Sequence, residues 1–288
     1  MNHRLMCILP VLCLGFLPVS FADALRITDV RVDGTNVSLS WTHVTNRYIV
    51  AHSPSLSTGR FEFVGNVLST PHSVLSGTTD ARFYRIRQVE VVSFPDPLFG
   101  AAVRNAIPRK YSPTNEMYDI DFIKLRELRA EYQGITNAAG IERLTDLTLL
   151  YCRSNSLTSL DLSANTSLID FVCSYNSLTS LDLSANTSLT WLFCDHNSLT
   201  NLDLPANTSL TWVNCKSNSL SNLNLSANPA LTLLDCPNNL LTNLDLSANT
   251  NLTHVDCRYN PIVEIIVADT NKPPAEFHYS GNPVIREP

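Results

Sequence analysis

The stretch LIDFVCSYNSLTSLDLSANTS, residues 168–188, decides the fold. Its Leu168, Cys173, Asn176, Leu178, Leu181, Leu183 and Asn186 return every 21 residues through the second half of the chain, and the Phe171 position returns as Leu or Val. Cys152, Cys173, Cys194, Cys215, Cys236 and Cys257 are spaced at that interval, and an Asn follows each of them three residues later. A second series, Asn165, Asn186, Asn207, Asn228 and Asn249, keeps the same period. Self-similarity at a fixed period of 20 to 50 residues marks a solenoid or a propeller array.

Physical chemistry selects between these. Leu-x-Cys and Leu-x-Leu alternation is the pattern of a strand with one buried face. A unit of 21 residues cannot bury that face alone, so each unit stacks on its neighbours. Stacked strands then run parallel about 4.8 Å apart, and each consensus position becomes a ladder. An Asn in such a ladder bonds the turning backbone on both sides, which a Leu cannot do. The short 163–167 segment leaves no room for a helix on the outer wall. A second strand or tight turns are expected there.

These residues resemble the LxxLxLxxNxL signature of leucine-rich repeats, with Cys in the third Leu position and a nested Leu-Asp-Leu-x-x-Asn half. Units begin at Leu147, Leu168, Leu189, Leu210, Leu231 and Leu252. A first unit from Leu125 runs 22 residues with Gln133 in place of Asn, and a degenerate coil covers Phe277–Val284. The resemblance implies a mainly β, right-handed leucine-rich repeat solenoid of seven to eight coils. A helical cap should precede it, because an end coil otherwise exposes its core. Asp96 reads as an N-cap, Pro97 as the first helical residue, and Leu98, Ala101, Ala102 and Ile107 as the apolar stripe of a helix across 95–107. A second short helix is expected across Asp119–Lys124. The pair is similar to the cap of internalin-like bacterial proteins.

The front of the chain has a different texture. One positive charge at Arg4, an apolar run from Leu5 to Phe21 and small-x-small sites at 20–22 and 22–24 are the layout of a secretory signal peptide. Alternating runs at 30–32, 37–41, 48–50, 61–64 and 83–86, split by polar turns, suggest a small β-sandwich. The Leu-Ser-Trp run ending at Trp41 and the Arg-Phe-Tyr-Arg-Ile run at 82–86 resemble fibronectin type III-like modules. The expected organisation is therefore a signal peptide at 1–24, a β-sandwich module at 25–92 and a helical cap at 93–124. Repeats at 125–272 and a degenerate terminal coil at 273–288 follow. A secreted, periplasmic or cell-surface protein without a transmembrane segment after signal cleavage is expected.

Composition and motifs narrow the chemistry. A net charge of −6 without any basic run argues against nucleic acid. No Gly-x-Ser-x-Gly elbow, His-Glu-x-x-His or phosphate-cradling loop is present. No catalytic residue, metal ligand or cofactor is assigned. The cysteine ladder reads as buried thiols, since in-register rungs hold Cβ atoms farther apart than a disulfide wants. The ladder Asp161, Asp182, Asp203 and Asp245 reads as a solvated face whose carboxylates help the turn.

The outward positions carry the functional signal. The third positions of the strand motif read Glu127, Leu149, Asp170, Trp191, Trp212, Leu233 and His254. The fifth read Arg129, Tyr151, Val172, Phe193, Asn214, Asp235 and Asp256. Trp191, Phe193 and Trp212 should share one exposed face, with Leu149, Tyr151 and Val172 beside them and Tyr175 and His196 at its edge. Asp195, Asp235 and Asp256 should flank it. Contiguous exposed aromatics mark interaction sites. The expected ligand-binding set is Trp191, Trp212, Phe193, Tyr151, Tyr175 and His196. The first reading is a non-enzymatic binding protein for a protein partner or a glycan. The second is a self-associating envelope protein whose aromatic face is a homo-oligomer interface. A third places enzymatic chemistry in the front module.

Overall fold

The computed structural model describes strands within residues 4–89, then residues 91–107, 117–118, 122, 125–270 and 273–288. The chain divides into two compact units, Met1–Val92 with Pro108–Asp121, and Ser93–Ile107 with Phe122–Pro288.

The first unit holds strands β1 (Arg4–Ile8), β2 (Ile27–Asp33), β3 (Asn36–Trp41), β4 (Arg47–Ser53), β5 (Glu62–Phe63), β6 (His72–Leu75), β7 (Arg82–Val89) and β8 (Val91–Val92). They form two main antiparallel sheets, ordered β1-β7-β4-β5 and β2-β3-β6. β8 pairs with β9 (Met117–Tyr118). β1 lies in the stretch read as a signal peptide and pairs with Arg82–Ile86 of β7.

In the second unit, helix α1 (Pro97–Ala106) starts where capping chemistry says it should. Asp96 Oδ1 accepts from the backbone N–H groups of Leu98 at 2.8 Å and Phe99 at 3.2 Å. The buried face is Phe99, Gly100, Ala102 and Val103. The expected stripe of Leu98, Ala101 and Ile107 is thereby corrected: Leu98 and Ala101 face solvent and Ile107 is only half-buried. The i, i+3, i+4 set Phe99, Ala102, Val103 wins because the larger ring sits against Phe94, with centroids 5.3 Å apart. Phe94 also meets Phe122 edge-on. Of the second cap helix expected across Asp119–Lys124, all but Phe122 lies outside the described residues.

Asp96 does a second job. Its Oδ2 accepts from the backbone N–H groups of Thr136 at 2.8 Å and Asn137 at 3.1 Å, and from the Thr136 hydroxyl. One carboxylate thus starts the helix and ties it to the first coil. Burial pushes the Asp96 carboxyl up, but four backbone N–H donors outweigh that and pull it down to about 2.

The solenoid is built on one eight-stranded parallel sheet: β10 (Glu127–Arg129), β11 (Leu149–Tyr151), β12 (Asp170–Val172), β13 (Trp191–Phe193), β14 (Trp212–Asn214), β15 (Leu233–Asp235), β17 (His254–Asp256) and β19 (Glu276–His278). Each is three residues long because only the centre of Leu-x-x-Leu-x-Cys is extended. The inward side chains Leu128, Leu150, Phe171, Leu192, Val213, Leu234 and Val255 are essentially solvent-free. Each such burial contributes about 1.5–3 kcal/mol. On the second wall, β16 (Asn243–Leu246), β18 (Glu264–Val267) and β20 (Val284–Arg286) form a three-stranded parallel sheet. Earlier coils turn there without a strand, so both expected forms of outer wall occur.

The two Asn ladders satisfy the backbone between coils. Asn176 Nδ2 donates to the carbonyls of Cys152 and Cys173 at 3.0 and 2.9 Å, while its Oδ1 accepts from Leu157 N–H. Asn155 to Asn260 repeat this bridge. Gln133 departs from it: its own backbone N–H donates to Asn155 Oδ1, and its amide turns to the Glu131 carbonyl. In the second ladder, Asn186 Nδ2 donates to the carbonyls of Leu162 and Asn165 at 3.1 and 2.9 Å. The residue before each first-ladder Asn is left-handed, with φ from 53° at His196 to 58° at Tyr259. That turn aims the Asn amide back into the stack.

The six cysteines of the repeat ladder, Cys152 to Cys257, are buried and free. Burial pushes the thiols of Cys152, Cys215 and Cys257 up to about 12. Asp161, Asp182 and Asp245 accept from the backbone N–H two residues on, as the turn reading expects, and Asn224 does the same where Asp is missing.

Candidate functional site

The sheet register places the outward residues without ambiguity. Trp191 pairs with Trp212 and Phe193 with Asn214 across β13 and β14. Leu149 pairs with Asp170, and Tyr151 with Val172, across β11 and β12.

The aromatic patch therefore forms as expected. Trp191 and Trp212 meet edge-to-face with centroids 6.0 Å apart, and Phe193 packs edge-on against Trp212 at 4.6 Å. Trp191 remains 43% exposed, while Phe193 and Trp212 are half-buried against one another. Such T-shaped contacts stiffen the rings beyond their area burial. At the edge, Tyr175 stacks on His196 with centroids 4.1 Å apart and planes 15° apart. Arg153 lies over the Tyr175 ring, and Arg129 over Tyr151. Burial raises the Tyr151 hydroxyl above its usual range, Asp170 adding to the effect. The residues expected to bind ligand form the Trp191–Phe193–Trp212 cluster and the Tyr175–His196 stack, with Tyr151 apart from both beneath Arg129.

Three outward assignments are corrected. Val172 points outward from its strand but is 9% exposed, because the larger side chains on neighbouring rungs cover it. Asp195 and Asp256 are buried, not solvated flanks: Asp195 accepts a hydrogen bond from the Ser174 hydroxyl, and Asp256 is paired with Arg258. Asp235 does stand at the surface, where its Oδ2 accepts from the Trp212 indole N–H at 3.1 Å. Its Oδ1 lies 3.1 Å from His254 Nε2, and His254 Nδ1 lies 2.9 Å from Glu276 Oε2. This polar chain runs from the aromatic patch to the edge strand. Glu276 and His278 were missed in the sequence because the interval into the last coil is 22 and its consensus is degenerate. Continuing the third and fifth columns by one rung would have found both.

The fold and the outward face define a class: a leucine-rich repeat solenoid, mainly β, with about eight coils and a helix before the first. No protein-family model matches the chain. Over 73 residues it is 40% identical to internalin J of Listeria monocytogenes serotype 4b, a match covering 25% of this chain and 8% of that protein. The chain thus spans a small part of the curated relative's length. Among solved structures, it is similar to the functional domain of InlJ from Listeria monocytogenes, described as including a cysteine ladder. Identity there is 30%, over 62% of this chain and 52% of that one, with a TM-score of 0.43. Internalin C2 of Listeria monocytogenes 4b is 26% identical over 59% of this chain and 86% of its own, with a TM-score of 0.46. No described helix is long and apolar enough to cross a membrane.

Proposed function

We propose that the chain is a non-enzymatic binding protein of the cell exterior or envelope, and that it holds a protein partner on the Trp191–Phe193–Trp212 face. One observation carries this reading: two Trp rings on adjacent rungs, held edge-to-face in the middle of the sheet, with Trp191 exposed to solvent and Trp212 half-buried beside it. Large, stiff aromatics contribute most of the energy at protein interfaces, and their cost of ordering is already met when the rings are braced before binding. The Tyr175–His196 stack and the rim carboxylate Asp235 extend the surface with polar groups, as an interface rim requires.

Residues 1–24 are read as the export leader that brings the chain to that location. The strand orders β5-β4-β7 and β2-β3-β6 support the reading of residues 25–92 as a fibronectin type III-like spacer. The similarity to internalin J supports a role at a cell surface.

The test is sedimentation over a wide concentration range of wild type and the Trp191→Ala/Trp212→Ala variant, with binding of envelope proteins and of a glycan array measured on both. A monomeric wild type that retains a protein the variant releases supports the reading. Self-association of wild type that the variant abolishes assigns the face to a homo-oligomer instead. Retention of glycans alone replaces the protein partner with a sugar.

A further inference from the structure

The sheet's outward columns end in a group with a different chemistry. His254 on β17, and Glu276 and His278 on β19, each offer one ligand atom, and these atoms lie within 4.8 Å of one another. The two histidine rings have centroids 5.9 Å apart. Because β17 and β19 pair in register, His254 stands directly beside Glu276, and His278 one step along on the same side. From these placements we infer that His254, Glu276 and His278 form a site for a borderline divalent metal ion of the zinc class.

Three features of the geometry support that assignment. Two imidazoles and one carboxylate are a donor set that suits zinc, copper or nickel and not calcium or magnesium, which want all-oxygen cages. Tetrahedral coordination at about 2.0–2.1 Å sets ligand atoms roughly 3.3 Å apart, and the exposed Glu276 and His278 side chains have the freedom to close that far. Most specifically, Asp235, a carboxylate on the preceding rung, stands 3.1 Å from His254 Nε2, while Nδ1 faces Glu276 Oε2 at 2.9 Å, so an ion bound at Nδ1 would take the place of a proton held between His254 and Glu276. A carboxylate behind a histidine is the arrangement that fixes tautomer and ring orientation in metal sites. Asp235 is itself held by the Trp212 indole, so it is a positioning residue and not a ligand.

The neighbouring carboxylate Asp256 does not complete the set. Arg258 engages it through Nε at 2.9 Å and a terminal nitrogen at 2.8 Å. The fourth position falls to water or an incoming group. Metal here would join β17 to β19, the least buried rung of the sheet, where Phe277 is only half-buried although its counterparts Leu234 and Val255 are solvent-free. The ion would staple the edge coil onto the stack.

The experiment uses the full chain, tag removed, and cobalt(II) and zinc as the probes. Absorption on cobalt addition should show the visible bands of a four-coordinate nitrogen–oxygen site, saturating near one equivalent, with no thiolate charge-transfer band. Zinc should displace the cobalt. His278→Ala and Glu276→Gln should each weaken binding at least about tenfold, and Asp235→Asn about 10–100-fold by releasing the His254 ring. Asp161→Asn, on the opposite wall of the solenoid, should leave metal binding unchanged. Hydrogen exchange at residues 276–286 should slow on zinc addition and recover with chelator. Three observations would overturn the site: no saturable binding, binding undiminished in a His254→Ala/His278→Ala variant, or a thiolate band, which would move the metal to the cysteine ladder. Unchanged exchange at residues 130–260 in each variant excludes misfolding as the cause of a loss.

Discussion

Replacing Asp96 with Ala should destabilise the solenoid from its capped end. The substitution removes the side-chain acceptor for Leu98 and Phe99, a helix N-cap worth about 1 kcal/mol. It also strips the backbone N–H groups of Thr136 and Asn137 of their charged acceptor, at about 1–2 kcal/mol for a part-buried pair. The sum is a loss of about 2–3 kcal/mol, read by urea unfolding of the second unit's signal. Asp96→Asn keeps one acceptor and should lose less. A pH series supplies the independent check. The folded carboxyl is drawn from its ordinary 3.8 to about 2. A depressed carboxylate contributes stability that is fully present above the unfolded pKa and is lost as pH falls through the folded one. About 1–2 kcal/mol, after allowance for solvent screening, should therefore disappear between pH 4 and 2 in wild type and not in Asp96→Asn. An Asp96→Ala loss below about 0.5 kcal/mol would refute the reasoning, as would identical acid profiles for wild type and Asp96→Asn.

Other expectations follow from the same stack. Asn207→Ala leaves the buried carbonyls of Leu183 and Asn186 without their donor and should cost about 2–4 kcal/mol in denaturant unfolding. Gly140→Ala would put a methyl 2.4 Å from the Phe94 ring at a backbone φ of 102°, so a loss of about 2 kcal/mol or more is expected by thermal melting. Ser217 sits at φ 53°, where Ser217→Val should be about 1–2 kcal/mol less stable than Ser217→Gly. The six ladder thiols should resist alkylation at pH 8 in the folded protein and react together once denaturant opens the array, because burial holds them protonated.

Much of this architecture was legible because a repeat turns one observation into many. Leu168, Phe171 and Cys173 fix an inward face, the 21-residue interval fixes register, and register alone puts Trp191 beside Trp212. The Asn bridges could be anticipated for the same reason, since a ladder of amides has carbonyls above and below it. What escaped notice depends on three-dimensional neighbours or on broken periodicity. Leu98 and Phe99 are equally apolar in sequence, and only the ring packing of Phe94 selects which one is buried. Val172 and Asp195 are outward by alternation, yet neighbouring side chains cover the first and a Ser174 hydrogen bond accompanies burial of the second. Glu276 and His278 sit one residue out of phase with the repeat, so counting by 21 passes them by.

The central claim is that the Trp191–Phe193–Trp212 face holds a protein partner. The most direct measurement compares proteins retained from an envelope extract by wild type, by Trp191→Ala/Trp212→Ala, and by Asp182→Lys on the Asp ladder as a control. Loss of the same protein from the double variant only, with affinity reduced at least about 30-fold and unfolding midpoint unchanged, is the predicted result. Equal retention by wild type and the double variant, or loss on Asp182→Lys instead, would contradict it.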